Sequence, residues 1–173
     1  QPSVVYSTLL PNQIGYVLLS TFTEDTAKDL HDAFDQLRKQ GAKRMVFDLR
    51  NNGGGLMGEA VKVVNFFVPK GKKVLSTRGK DPDMNETYKT TTSPFDTGMP
   101  LAVLVNYATA SAAEITSGSL QDYDRAVIVG RRTYGKGLVQ APRPLPYSTM
   151  LKVTTSKYYI PSGRCVQAYD FKH

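Results

Sequence analysis

Ser111 and Lys136 are the residues of this chain best placed by type and spacing to make and break covalent bonds. Ser111 opens the small-residue run "SAAEITSG", shortly after the apolar stretch "PLAVLVN". A serine hydroxyl attacks a carbonyl when a neighbouring base takes its proton. Histidine is scarce here: His31 falls in a polar helix flank and His173 is the last residue. Lys136 follows Ser111 by 25 residues, between Gly135 and Gly137 in "YGKGLVQ". That interval holds one helix and one strand, which lets the chain return to the same sheet edge. A serine paired with a lysine base is an established variant of the serine nucleophile. A free lysine has a pKa of about 10.4 and a working base wants about 7, a gap of about 4–5 kcal/mol that burial supplies. Gln140, four residues after Lys136, has a carbonyl that holds a neutral amine without adding charge.

Each of these signals has a plainer reading. Ser111 and Glu114 fit a capping box, S-x-x-E, at a helix start, and one hydroxyl cannot cap and attack at once. A lysine between glycines is commonly a solvated turn residue. Gly53, Gly54 and Gly55 form a loop, and neither GxGxxG nor a P-loop pattern follows them. Asp48 and Arg50, at a strand end, read as a structural ion pair before a catalytic one.

The elements around these residues follow from hydrophobic period and punctuation. "SVVYSTLL" and "IGYVLLST" read as strands joined by a "PNQ" turn. "TEDTAKDLHDAFDQLRKQG" is a helix with Thr23 as its cap, Gly41 as its stop, and Ala27, Leu30, Ala33, Phe34 and Leu37 on one face. "RMVFDLR" is a strand running into "NNGGG", and "LMGEAVKVVNFFV" is a helix closed by Pro69. "KKVLSTRG" is a strand, and residues 81–98 read as a long exposed loop, a candidate lid. "PLAVLVN" and "RAVIVG" are strands around the helix "SAAEITSGSLQDY", and "LVQAPRPL" with "TMLKVTTSKYYI" forms a closing hairpin. Alternating strands and helices predict an α/β layer with mostly parallel central strands. In such sheets, ligands gather at the carboxyl ends of strands, where helix N-termini offer free N–H groups to an anion.

Composition bounds the function. The 173 residues, 40% hydrophobic, fit one compact domain, 1–173. The net charge of +7 reads as a solvated basic surface, since no nucleic-acid motif and no zinc-finger spacing accompanies it. The single cysteine, Cys165, allows no internal disulfide and lacks a suitably placed histidine for a cysteine nucleophile. No apolar run approaches the roughly 18 residues of a membrane helix, and no signal peptide stands at the start. A chain beginning at Gln1 reads as a mature or excised fragment, so the missing targeting segment says little about compartment.

Taken together, "FDLRNNGGGL", "VLVNYATASAAEITSGSLQDYDRAVIVGRRTYGKGLVQ" and "LKVTTSKYYIPSGRCVQ" resemble, in order and from Ile14 to Gln167, the C-terminal processing, or tail-specific, serine protease family. The resemblance implies a ClpP/crotonase-like α/β core. It implies Ser111 as nucleophile, Lys136 as general base and Gln140 as the residue that positions the lysine. Two backbone N–H groups, those of Gly54 and Ala112, are implied as the oxyanion hole. Thr109 and Ala113 stand where the family has further serines, and "NGGG" replaces the more usual N-P-G-G. No metal or cofactor is implied. Substrates would be unfolded or tagged polypeptides cut near their C-termini outside the cytoplasm, in the bacterial periplasm or cell envelope. Many members carry a PDZ module before this core; none is present in this chain, and an upstream PDZ module or adaptor is the implied partner. The rivals are a non-catalytic peptide-binding scaffold on the same fold and a crotonase-like acyl-CoA enzyme, which normally depends on carboxylates.

Overall fold

The computed structural model describes residues 2–168. Its first sheet has the order β1-β2-β3-β6-β7. β1 (Val4–Leu10) and β2 (Ile14–Leu19) form an antiparallel hairpin, and β2, β3 (Arg44–Asp48), β6 (Leu101–Val105) and β7 (Val127–Gly130) run parallel. The expected α/β layer with parallel central strands is therefore present, with β1 as an antiparallel edge. Helices α1 (Thr26–Lys39), α2 (Met57–Asn65) and α3 (Ala112–Asp122) connect these strands and the second sheet.

That second sheet has the order β5-β4-β9-β8 and is antiparallel throughout. It joins β4 (Lys73–Gly79) and β5 (Thr87–Lys89) to the hairpin of β8 (Leu138–Leu145) and β9 (Thr149–Tyr159). The expected closing hairpin is thus half of a separate layer. The β4–β9 pairing that makes it so spans some eighty residues, beyond anything a local pattern encodes.

The core lies between the first sheet and its helices. Leu30, Ala33, Phe34 and Leu37 on α1 are buried at the spacing the sequence predicts, whereas Ala27 is half-buried. Phe34 meets Phe47 of β3 and Phe67 edge-on, with ring centroids 6.2 and 5.4 Å apart. The cap of α1 differs from expectation: the helix starts at Thr26, and Thr23 does not cap it. Buried Glu59 of α2 instead accepts the Ala27 N–H at 2.9 Å, so another helix satisfies one of the free donors. Gly41, with φ +100°, ends α1 as expected.

Residues 81–98 are not a free lid. Pro82–Met84 make a 3-10 turn and Thr87–Lys89 form β5. Buried Asn65 then receives the Thr91 and Thr92 N–H groups at 2.7 and 3.0 Å. Asp96 accepts from Gly98 and Met99 and lies 3.9 and 3.7 Å from Arg38 and Arg125. His31 packs edge-on against Phe95, with centroids 4.8 Å apart. These contacts fasten residues 91–99 toward the start of β6, while residues 81–89 run along β4, with Asp81 and Met84 near Leu138. Among the described residues, no helix is long and apolar enough to cross a membrane.

Candidate active site

Adjacent pairing of β3 and β6 brings their carboxyl-end loops together, Asp48 opposite Leu104. Asn51 and Asn106 lock the two loops: the Asn51 N–H donates to Asn106 Oδ1 at 3.0 Å, and Asn106 Nδ2 donates to Asn51 Oδ1 at 2.9 Å. Buried Thr109 adds a bond from its hydroxyl to the Leu49 carbonyl at 2.8 Å. The loops that follow β3 and β6 are therefore one structure.

Ser111 is the N-cap of α3, and only the backbone half of the capping box binds: Glu114 accepts the Ser111 N–H, whereas the Glu114 N–H donates to the Ser111 carbonyl and the Ser111 hydroxyl makes no cap hydrogen bond. Its backbone lies at φ 55°, ψ −119°, a region sparsely used by residues with a side chain. Such strain clusters at functional positions. Gly54 packs directly beneath: a Cβ there would lie 2.7 Å from Ser111 Cβ and from the Ala110 carbonyl oxygen.

Glu114 does more than cap. Its carboxylate is buried, 2% exposed, and accepts four hydrogen bonds. Oε2 receives the N–H of Ser111 at 2.9 Å and of Lys136 at 2.8 Å. Oε1 receives the Thr133 hydroxyl and the Gly135 N–H, both at 2.7 Å. One side chain thus joins the turn before α3 to the lysine loop. Sequence reading saw only its local capping role, because its other partners lie about twenty residues further on.

The lysine loop is also held from behind. Tyr158 of β9 is buried, its N–H donates to the Gly137 carbonyl at 3.0 Å, and its phenol donates to the Lys136 carbonyl. Burial pushes the Tyr158 phenol well above its ordinary pKa, Glu114 pushes it further, and a hydrogen bond with the Ser111 side chain opposes them. The glycines flanking Lys136 answer to close contacts. A Cβ on Gly135 (φ +87°) would lie 2.5 Å from Ala168 Cβ, and one on Gly137 would lie 2.6 Å from Gln167 N.

Ser111, Lys136 and Gln140 all line one cleft, with Gly55, Leu56, Met57 and Leu138, which offers about 280 Å³ of space. Lys136 is half-buried and Gln140 exposed, and among the described residues neither side chain makes a hydrogen bond or ion pair. The Gly54 N–H donates to Asn52 Oδ1 at 2.9 Å. Asn52, fully buried, also ties the loop to β2 through Nδ2 and the Leu19 carbonyl, and its own carbonyl receives the Ala110 N–H, both at 2.9 Å. The neighbouring Gly55 N–H and the Ala112 N–H have no partner among the described residues. Phe22 bonds to the Gly54 carbonyl and the Leu56 N–H, so in this parallel bridge the Gly55 main chain faces the other way.

Asp48 and Arg50 form the ion pair read from the sequence, at 2.7 Å. Burial favours the neutral acid at Asp48. Hydrogen bonds from the Arg50 guanidinium, the Tyr16 phenol and the Arg50 N–H outweigh it and hold the carboxyl below its ordinary pKa. His31 and Cys165 lie outside this cleft, and His173 lies outside the described residues.

The model of peptidase family S41 matches residues 13–172 of the chain. The chain belongs to peptidase family S41. Relatives within that family include a probable CtpA-like serine protease of Staphylococcus aureus (strain N315), 38% identical over 161 residues that cover 92% of this chain and 32% of the relative. The chloroplastic C-terminal processing peptidase of Tetradesmus obliquus is 40% identical over 151 residues, 87% of this chain and 32% of the relative. Among solved structures, the photosystem II D1 C-terminal processing protease superposes with a TM-score of 0.80 at 36% identity, covering 96% of this chain and 44% of that one. The S41 chain described here therefore spans about a third of the length of these curated relatives, and its fold is that of C-terminal processing proteases.

Proposed function

We propose that this chain is the catalytic core of a serine endopeptidase in which Ser111 is the nucleophile and Lys136 the base. One observation carries the proposal: a single buried carboxylate oxygen of Glu114 receives the main-chain N–H of both residues, which fixes the two against each other across one cleft. Neutral Lys136 takes the Ser111 proton as Oγ bonds to the scissile carbonyl carbon. The resulting ammonium then gives a proton to the leaving amine, and the C–N bond breaks. Water, deprotonated by Lys136, adds to the acyl-enzyme and releases the new carboxylate with Ser111 restored. Gln140, at the cleft wall, orients the amine through its carbonyl. Ala112 and a glycine of the 53–55 loop stabilise the oxyanion, and the hydrogen-bonding pattern favours Gly55 over the expected Gly54, whose N–H is engaged by Asn52. A donor of this kind is worth about 3–4 kcal/mol in the transition state.

The substrates are polypeptides cut near their C-termini, in keeping with the names of the relatives, and the setting is extracytoplasmic. The remaining two-thirds of a relative-sized protein leaves room for a PDZ module or adaptor that delivers them. Labelling with a fluorophosphonate, followed by peptide mapping, tests the nucleophile. Modification at Ser111 that disappears in Lys136→Ala supports the dyad. The rival, a peptide-binding scaffold, draws on the absence of any bond to Lys136 Nζ among the described residues; a protein that binds peptide yet is never labelled at Ser111 decides for it.

A further inference from the structure

Among the described residues, β8 is an edge strand whose one partner is β9. In an antiparallel pair, residues alternate between those whose N–H and C=O face the partner and those whose main chain faces away. Proline has no N–H to contribute to a ladder, so within a paired strand it takes outward positions. Pro142 and Pro144, opposite Lys152 and Met150, therefore mark the outward set of β8. The register shift between Val139 and Gln140 places its extra residue on β9, since Val139 faces Ser156 and Gln140 faces Thr154. The alternation of β8 thus runs on unbroken, and Leu138 and Gln140 join the outward set. Independent support comes from Gly137. Its carbonyl accepts from the Tyr158 N–H of β9, and across that trans peptide the Leu138 N–H points the opposite way, to the open side.

The outer edge of β8 consequently offers N–H and C=O at positions 138 and 140, and C=O alone at 142 and 144. The two complete positions line the Ser111 cleft; the two prolines do not. We infer that the β8 edge is a docking rail for an extended polypeptide, which adds as a further strand through the main chain of Leu138 and Gln140, the rail offering no N–H donor beyond them at Pro142 and Pro144. Main-chain pairing selects for an unfolded segment rather than for a particular sequence. A rail of two residues is too short for another copy of this sheet to zip onto, and prolines on an edge guard against such pairing. The identity of the bound chain as substrate rests on the peptidase assignment above; the donor pattern of the edge does not.

The test uses the full-length protein carrying Ser111→Ala, and a fluorescein-labelled, unstructured, apolar-rich peptide with a free C-terminus. Each peptide nitrogen is N-methylated in turn, and Kd is read by fluorescence anisotropy. The expected result is a rise of roughly five- to tenfold at alternate positions, those whose N–H faces the outward carbonyls of β8, with the positions between them within about twofold of the parent. Leu138→Pro in the same protein removes one outward donor and weakens the parent peptide by a similar factor. Uniform tolerance, penalties at successive positions or no binding would overturn the rail. If Leu138→Pro does not fold, the methylated series decides on the otherwise unaltered protein. Cleavage of the parent peptide by the protein with Ser111 intact is scored separately. Cleavage without the alternating pattern sinks the rail and spares the peptidase, whereas the alternating pattern with neither cleavage nor Ser111 labelling does the reverse.

Discussion

The main-chain N–H groups of Ser111 and Lys136 share one acceptor, Oε2 of Glu114, at 2.9 and 2.8 Å. Two residues 25 apart in sequence are thereby held by the same buried atom, and the consequences are measurable. Glu114→Gln can accept at only one of its two terminal atoms, leaving buried donors facing an amide N–H₂. The variant is expected to lose about 2–4 kcal/mol of stability and, at temperatures where it stays folded, about a hundredfold in kcat. Calorimetry and peptide-cleavage kinetics check both; an unchanged kcat would mean that the shared acceptor does not position the dyad.

Ser111 separates chemistry from stability. Ser111→Ala and Ser111→Gly each remove the hydroxyl proposed as nucleophile, and cleavage should fall by about 10⁴-fold or more in both. Only glycine relieves the backbone at φ 55°, so Ser111→Gly should be the more stable of the two by about 1 kcal/mol. Comparing the urea midpoints of the two variants measures that difference, and equal midpoints would remove the case for strain at the nucleophile.

The glycine loop offers a steric test. A Cβ on Gly54 would meet Ser111 Cβ and the Ala110 carbonyl oxygen at 2.7 Å, and one on Gly55 would meet the Phe22 carbonyl oxygen at 2.1 Å. Gly54→Ala should therefore displace the turn that carries Ser111 and cut turnover by about a hundredfold or more. Gly55→Ala should reduce stability more strongly, because its clash with the Phe22 backbone is the closer of the two. A Gly54→Ala enzyme with full fluorophosphonate reactivity would contradict this packing.

Asp48 predicts an acid limb. Its folded carboxyl titrates below its unfolded value, so its contribution is complete above about pH 4 and fades as the pH falls through the lower, folded value. Relative to Asp48→Asn, the parent should be more stable by about 1–2 kcal/mol at pH 7, a modest figure because Arg50 is half exposed. The gap should shrink below about pH 4. Urea denaturation of both proteins between pH 7 and pH 3 reads it, and a gap that widens on acidification would reverse the sign argued here.

Tyr158→Phe removes the phenol that donates to the Lys136 carbonyl and interacts with the Ser111 side chain. Because burial keeps that phenol protonated well beyond neutrality, the variant should lose about tenfold in kcat without reshaping the pH profile. A new pH dependence in Tyr158→Phe would point instead to a titrating role for the tyrosine.

Much of this site was legible from local pattern. The strand–turn–helix signals around "DLRNNGGG" and "NYATASAAE" predict two carboxyl-end loops, and the β3–β6 pairing brings them side by side. The Asp48–Arg50 pair and the stop of α1 at Gly41 are local in the same sense. What escaped is everything set by distant partners. Glu114 reads as a cap because nothing near it announces Gly135 and Lys136. Asn52 looks like one more turn residue, although it spans β2, Gly54 and Ala110. The loop at 81–98 reads as free because its polar sequence conceals that Asn65 and Asp96 fasten it through main-chain bonds. Tyr158 had a faint signal, since alternation along β9 places it inward beside Ile160.

The glycines around Lys136 exist to let another stretch of the same chain lie almost on top of them: the Ala168 N–H bonds the Gly135 carbonyl at 2.8 Å, and Gln167 Oε1 receives the Gly137 N–H at 3.0 Å. Residues 167 and 168 thus form the wall against which the main chain on either side of Lys136 is braced. Shortening the protein ahead of Gln167, or fusing a bulky tag there, would blunt the enzyme from the rear while leaving every reacting group intact.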